Sequence, residues 1–288
     1  MTPKAYLDLY TALPVIDFAH RRLLVVNINA YGSGWGTTQA DNRPSGHLCQ
    51  QEYNGPFKTA LRRALDPKSR AALPALIKPP ETSPLDAYSF RMFARNGLIR
   101  AFLGKGTPQE IADVLLLALA LGRIGTAKDF ASQKPGAEPA QAYANRFLSL
   151  DCNGLVGNFY GLNPETAIES YASPARRRAS AQDVRQGDCL VTVTASGRFE
   201  HIALVEKFTP GTGDKPTCAM EIVEWGQAGP IDKHYSSVSR TVTRGPNTKF
   251  GVGFKAAANG DKFRYFFTPP ADAPAEPRQW GLGGAVAQ

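Results

Sequence analysis

The sequence predicts an α+β fold with a short helix that begins at a cysteine and a strand that opens with a histidine. Cys152 comes directly before residues 154–160, where apolar side chains recur at helical spacing. His201 opens an apolar strand pattern, and two further strand-like runs cover residues 184–193 and 218–225. The order is a helix with cysteine, a strand, a strand with histidine and a strand with acidic residues.

Cys152 lies in the segment Asp-Cys-Asn-Gly-Leu-Val at residues 151–156, at the expected first turn of a short helix. The positive end of the helix dipole and the unpaired N–H groups of a first turn favour a thiolate. We therefore interpret Cys152 as a nucleophile. Cys49, Cys189 and Cys218 have no such setting and are expected to be buried core residues.

Acyl transfer by a thiolate needs an imidazole to pair with it and a third group to orient the imidazole. His201, at the start of the strand pattern after the turn at residues 197–200, supplies the imidazole. His20, His47 and His234 have no comparable context.

Three motifs stand in order along the chain: Asp-Cys-x-Gly-Leu-Val at 151–156, Gly-Asp-x-Leu-Val at 187–191 and His-Ile-Ala-Leu-Val at 201–205. Together they resemble the NlpC/P60 family of papain-like cysteine peptidases and amidases and the related CHAP amidases. The resemblance covers about residues 140–230. It implies a papain-like core in which the helix bearing Cys152 packs on an antiparallel sheet bearing His201. It also implies Cys152 as nucleophile, His201 as general base, and no metal or organic cofactor.

The third catalytic group has three candidates, which are Glu224, Glu221 and Gln227. Side chains alternate between the two faces of a strand, so Glu221 and Glu224 point to opposite sides and only one can face His201. Glu224 resembles the glutamate of CHAP relatives and is favoured. Glu221 comes second, and Gln227 third if the strand continues.

The resemblance also bears on the substrate side. The Cys152 backbone N–H is expected to hold the oxyanion, with Tyr143 as a second donor because relatives place a tyrosine upstream of the nucleophile. Asp151, Asn153 and Trp225 flank the candidate catalytic residues and are assigned with Tyr143 to substrate binding. Asn153 occupies a position where the family commonly has serine.

Family members mostly cleave peptide bonds of the peptidoglycan stem, so the resemblance implies a cell-wall amidase or endopeptidase. A basic chain of this kind suits an antibacterial effector, or toxin, which would need an immunity protein as partner. Two alternatives remain. The same residues could act on a protein or a lipid acyl chain, or a papain-like core without activity could serve as a binding module.

The composition agrees with a globular enzyme: of 288 residues 43% are hydrophobic and 20% charged, and the formal net charge is +8. Four cysteines in such a chain are too few for a disulfide framework, although Cys189 and Cys218 fall on predicted neighbouring strands. Residues 176–178 are three consecutive arginines in an expected loop. They are interpreted either as a solvated loop or as a contact to the polymer of the bacterial wall. No nucleic-acid-binding motif accompanies them.

The N-terminal residues lack the apolar segment and cleavage site of a signal peptide. The apolar run 114–121 is too short to span a bilayer and predicts a buried helix, capped by Thr107 and Glu110 with Pro108 at its first position and ended at Gly122 or Gly125. We expect no stable membrane insertion. The expectation is synthesis in the cytoplasm and action in the periplasm or cell wall after delivery by another route.

Three parts are predicted along the chain. Residues 1–105 form an extension or accessory domain of unknown role, residues 106–268 the catalytic domain, and residues 269–288 a tail rich in Pro, Ala and Gly. Within the first part the patterns predict a strand at 23–31, helices at 56–72 and 85–104, and a rigid linker at 78–84.

Overall fold

A computed structural model describes residues 1–17, 20–32, 46–65, 95–124, 138–210, 217–226, 229–239, 253–255 and 262–273. These residues form helices and antiparallel sheets, which confirms the predicted α+β class. The chain divides into two compact units. The first consists of Met1–Asp8 and Cys152–Gln279, and the second of Leu9–Asp151 and Trp280–Gln288. The division into parts at residues 105 and 268 stays a prediction.

The described α-helices, in chain order, are α1 (Pro3–Thr11), α2 (Gly46–Glu52), α3 (Lys58–Leu65), α4 (Arg95–Phe102), α5 (Pro108–Ala120), α6 (Pro139–Phe147), α7 (Cys152–Phe159) and α8 (Ile168–Tyr171). A π-helical turn, Tyr53–Phe57, joins α2 to α3, and 3₁₀ turns cover Pro174–Arg176 and Ala181–Asp183. The described strands are β1 (Leu13–Asp17), β2 (Arg22–Val26), β3 (Cys189–Thr194), β4 (Phe199–Thr209), β5 (Thr217–Gly226), β6 (Gly229–Ser239), β7 (Gly253–Lys255) and β8 (Lys262–Phe267).

The first unit is built on a sheet whose described strands run in the order β6-β5-β4-β3-β8-β7, with every neighbouring pair antiparallel. One face of it carries the buried side chains of Leu190, Ala203, Val205, Ile222 and Phe266, which pack into one apolar cluster. Strand register places Leu190 opposite both Ala203 and Phe266, so these three share a face. This cluster holds the central strands together.

The Gly-Asp motif is the turn that leads into β3. Gly187 has a φ of +82°, a backbone conformation that residues with a side chain rarely adopt. Asp188 is 1% exposed, and its carboxylate accepts two hydrogen bonds from the Arg178 guanidinium at 2.7 and 2.8 Å and one from the Arg185 backbone N–H. The backbone carbonyl of Asp188 also accepts a hydrogen bond from the N–H of Val205 on β4. The motif therefore anchors the turn to the strand that bears His201.

Helix α7 is positioned by small and apolar residues. Leu155, Val156 and Phe159 are buried, and α7 packs on β4 and β5. At Gly157 a Cβ atom would lie 2.7 Å from the Cα of Pro164, a backbone clash that only glycine avoids. The helix is thus held tightly along its length.

The second unit contains the hairpin of β1 and β2, in which Leu13 pairs with Val26. Helix α5 begins with the predicted capping box, since Thr107 and Glu110 each bond the other's backbone N–H, and Gly122 follows its end with a φ of +68°. These predictions are confirmed.

Other boundaries in this unit differ from the patterns. The predicted strand at 23–31 ends at Val26, because its later residues leave the hairpin and only Tyr31 makes an isolated bridge, to Leu150. In its described portion, the predicted helix at 56–72 corresponds to the end of the π turn and α3. The described portion of the predicted helix at 85–104 corresponds to α4. The linker at 78–84 and most of the predicted tail lie outside the described residues.

The cysteine pairing considered above meets a topological obstacle. Cys189 lies on β3 and Cys218 on β5, and β4 runs between these two strands. The expectation that the two thiols occupy neighbouring strands is therefore wrong. All four cysteines are buried, and none of them forms a disulfide.

Among the described residues, no helix combines the length and apolar character needed to cross a membrane.

The Arg178–Asp188 pair provides a test of the fold. Arg178→Gln leaves a carboxylate buried without its cation, and burial already raises the pKa of Asp188. We expect the free energy of unfolding, measured by urea denaturation, to fall by about 3 kcal/mol. Arg198, whose side chain is 74% exposed, is the matched control, and Arg198→Gln should change stability by less than about 0.5 kcal/mol. Equal effects of the two variants would contradict the anchoring role.

Candidate active site

Cys152 is the first residue of α7, as the sequence predicts. Its side chain is 5% exposed. The helix packs on β4 and β5, the two strands that carry His201 and Glu224. The nucleophile candidate thus stands at the end of a helix whose body is fixed to the sheet.

His201 is the third residue of β4 and its side chain is 21% exposed. Its ring is hydrogen-bonded to the Cys152 thiol. The Nε2 atom lies 3.0 Å from the Oε2 atom of Glu224. Since Nε2 is engaged by the carboxylate, Nδ1 is the nitrogen that remains for Cys152. The structure therefore brings the three predicted residues into one chain of contacts.

The electrostatics of His201 follow from these contacts. Burial alone would lower the pKa of the imidazole, but hydrogen bonds and charge interactions with Cys152 and Glu224 outweigh burial and raise it to about 9. The imidazole is therefore protonated at neutral pH. A protonated imidazole beside a thiol is the arrangement that stabilises a thiolate nucleophile.

The structure separates the three candidates for the third group. The Glu224 side chain is 3% exposed and contacts His201, while the Glu221 side chain is 34% exposed and lies 3.9 Å from the Lys207 ammonium. The predicted alternation of these two glutamates is confirmed. Gln227 lies outside the described residues. Geometry favours Glu224 as the orienting group.

Arg264 on β8 is a site residue that the sequence patterns did not indicate. Its Nη2 atom is 3.6 Å from Oε2 of Glu224, and its side chain is 14% exposed. Register explains how it reaches the site, because Thr192 on β3 pairs with His201 on one side and with Arg264 on the other. The three residues thus form one row on one face of the sheet. The alternation in 262–267 indicates a strand, but not which residues lie beside it.

Two of the predicted substrate-binding residues belong to the first unit. The Asn153 side-chain amide donates a hydrogen bond of 3.2 Å to the carbonyl of Thr166, which ties α7 to the segment that follows it. Trp225 is fully buried beside Glu224. Both side chains have structural contacts, and their roles toward a substrate stay predictions.

The other two predicted substrate-binding residues belong to the second unit. The Asp151 carboxylate lies 2.6 Å from the Lys105 ammonium, and its backbone N–H donates to the carbonyl of Gly104. Tyr143 is fully buried, and its hydroxyl donates to Glu52 at 3.1 Å. Burial, followed by the nearby Glu52 charge, raises the pKa of Tyr143 well above its ordinary value. The predicted oxyanion role of Tyr143 is untested by these contacts.

The arginine cluster at 176–178 differs from a free solvated loop. Arg176 closes a 3₁₀ turn and bonds the carbonyl of Ser170, while Arg178 is paired with buried Asp188. Arg177 bridges Phe267 through the backbone. Arg176 and Arg178 thus have partners within the protein, and the interpretation of the cluster as a wall contact stays a prediction.

Histidines outside the site have other settings. His20 contacts Asp17 at 2.8 Å, and His234 lies on β6 opposite Glu221. Across the described ranges, no group of His, Cys, Asp and Glu side chains is arranged to hold a metal ion.

Comparisons with protein-family models, with curated proteins and with solved structures give no match to this chain.

The contact between His201 and Glu224 makes a direct prediction. Glu224→Gln removes the negative charge that helps to keep the imidazole protonated, so the pKa of His201 should fall from about 9 toward its ordinary value of 6.5. The measurement is an NMR titration of the histidine ring signals. Glu221→Gln, on the opposite face of the same strand, should leave that titration unchanged. An unaltered His201 titration in Glu224→Gln would contradict the ion pair.

Proposed function

We propose that this protein is a cysteine hydrolase with a papain-like catalytic core, and that it cleaves amide bonds in the stem peptides of bacterial peptidoglycan. One observation carries the reaction class: His201 is hydrogen-bonded to Cys152 and, through Nε2, to the buried carboxylate of Glu224. That is the order of groups that acyl transfer by a thiolate needs.

The first half of the reaction forms an acyl-enzyme. The Cys152 thiolate attacks the carbonyl carbon of the amide, and the electron pair of the C=O bond moves to oxygen. The His201 imidazolium then gives its proton to the leaving nitrogen as the C–N bond breaks. The products are an amine and a Cys152 thioester, and His201 is left neutral.

The second half releases the acyl group. Neutral His201 takes a proton from water, whose oxygen bonds to the thioester carbon, and the C–S bond breaks. Sulfur leaves as the thiolate, so the pair of thiolate and imidazolium is restored. Glu224 holds the imidazole in place through both halves and stabilises its cationic form.

The negative charge that develops on the carbonyl oxygen needs hydrogen-bond donors. The backbone N–H of Cys152 is at the start of α7, where the positive end of the helix dipole favours a developing negative charge. It is one oxyanion donor of the proposed mechanism. A second donor is assigned to Tyr143 on the resemblance alone.

The substrate class rests on the three motifs that resemble the NlpC/P60 and CHAP families. The formal net charge of +8 is consistent with it, because a basic protein is attracted to the anionic bacterial wall. Within this proposal the protein acts in the periplasm or cell wall as an antibacterial effector and has an immunity protein as partner.

Two other functions use the same residues. A thiol hydrolase that acts on proteins or lipid acyl chains would keep Cys152, His201 and Glu224 but would leave peptidoglycan intact. A binding module would keep the fold without turnover. The complete set of three groups in hydrogen-bond order favours an enzyme over the binding module.

Digestion of purified peptidoglycan tests the substrate. Wild type is expected to release fragments with new stem-peptide ends, identified by mass spectrometry, and Cys152→Ala is expected to release none. Glu221→Gln is the matched control and should retain wild-type activity, whereas Glu224→Gln should lose about 10²–10⁴-fold. Intact peptidoglycan after treatment with folded wild type would refute the substrate class.

Alkylation by iodoacetamide tests the nucleophile separately from the substrate. At neutral pH we expect Cys152 to react faster than a free thiol, and slowly in His201→Ala, because the imidazolium no longer stabilises the thiolate. Peptide mapping identifies the modified residue. Burial raises the pKa values of Cys49 and Cys189 to about 12, so these thiols should stay unmodified. Alkylation of Cys152 no faster than a free thiol would favour the binding module.

A further inference from the structure

Glu224 is a buried carboxylate, and two of the described residues beside it carry cationic groups. Its side chain is 3% exposed, and its Oε2 atom lies 3.0 Å from Nε2 of His201 and 3.6 Å from Nη2 of Arg264. Two strands, β4 and β3, separate β5 from β8, so Arg264 crosses the sheet face to reach the carboxylate. An ionised carboxylate at such depth is stable only beside a positive charge.

The two cations differ in one respect. His201 loses its positive charge during the proposed reaction, whereas a guanidinium stays charged throughout. In the resting site of the proposed mechanism, the negative charges of the Cys152 thiolate and the Glu224 carboxylate are balanced by the His201 imidazolium and the Arg264 guanidinium. In the acyl-enzyme the thioester and the imidazole are both neutral. Among the described residues, Arg264 is then the cation that remains beside Glu224. Without Arg264 the carboxylate would hold a proton shared with His201.

We propose that Arg264 is a positioning residue that keeps Glu224 ionised while His201 is neutral, so that His201 can accept a proton from water in the acyl-enzyme. The inference rests on the proposed function for its role in turnover. The charge effect itself is a property of the contacts among Arg264, Glu224 and His201.

Other charged groups nearby have their own partners. From α7 the titratable group at the site is Cys152, from β5 it is Glu224, and from β8 it is Arg264. Glu200, next to His201 in the chain, lies 2.6 Å from the Lys262 ammonium and also contacts Arg198. Glu169 on α8, another helix that packs on β4, is exposed. Lys262 is therefore a suitable control cation on the same strand as Arg264.

An NMR titration of His201 tests the charge effect without any substrate. Loss of the guanidinium removes a positive charge that opposes protonation of His201, so the Glu224 carboxylate stabilises the imidazolium more strongly. In Arg264→Gln the midpoint should thus move to higher pH than in wild type, by at least about half a unit. Arg264→Lys should restore the wild-type midpoint, and Lys262→Gln should match wild type within about 0.2 units.

A merely structural role predicts the opposite sign. If Arg264 only supported the packing of Glu224, its loss would misplace the carboxylate and lower the His201 midpoint, as Glu224→Gln does. A downward shift, or no shift, in Arg264→Gln overturns the proposal. If circular dichroism shows that Arg264→Gln does not fold, the same titration is carried out on Arg264→Met, which preserves more of the apolar part of the side chain.

Hydrolysis of p-nitrophenyl acetate tests the role in turnover. Wild type should give a burst of p-nitrophenol as Cys152 is acylated, followed by slower turnover. Arg264→Gln should keep the burst, turn over about tenfold more slowly at neutral pH, and recover as the pH rises. Absence of a wild-type burst would count against the proposed hydrolase, while the titration still decides the charge effect. A turnover rate in Arg264→Gln equal to wild type at neutral pH would overturn the role of Arg264.

Discussion

The hydrogen bond from the His201 ring to the buried carboxylate of Glu224 determines what the rest of the site can do. It occupies one ring nitrogen and so leaves the other for the Cys152 thiol. Together with that thiol it raises the pKa of the imidazole to about 9 despite the opposing effect of burial. The remaining architecture holds the partners of this bond: β4 and β5 carry its two ends, and α7 brings the thiol to it.

The local chemistry was predictable from the sequence because each piece depends on residues close together in the chain. A glycine with positive φ and a buried aspartate make the turn before β3, and the capping box of Thr107 and Glu110 starts α5. The start of α7 at Cys152 and the choice between Glu221 and Glu224 follow from the same kind of local rule. The alternation of side chains along a strand is set by the backbone itself.

Sheet order was not predictable in the same way. The segment that pairs with β3 opposite β4 is β8, almost seventy residues further along the chain. This pairing brings Arg264 to Glu224, and β4 keeps Cys189 and Cys218 on separated strands. Arg178 shows the same limit, since this member of an apparent surface cluster pairs with the buried carboxylate of Asp188. Strand neighbours depend on the whole fold.

Gly157 links the packing of α7 to the reactivity of a residue more than one helical turn away. Its backbone passes so close to Pro164 that any side chain would push the two segments apart. Because Cys152 begins the same helix, such a displacement would reach the thiol without altering any of the proposed catalytic groups. Substitutions of increasing volume at position 157 would therefore displace α7 by increasing amounts and yield a graded series of variants that keep Cys152, His201 and Glu224.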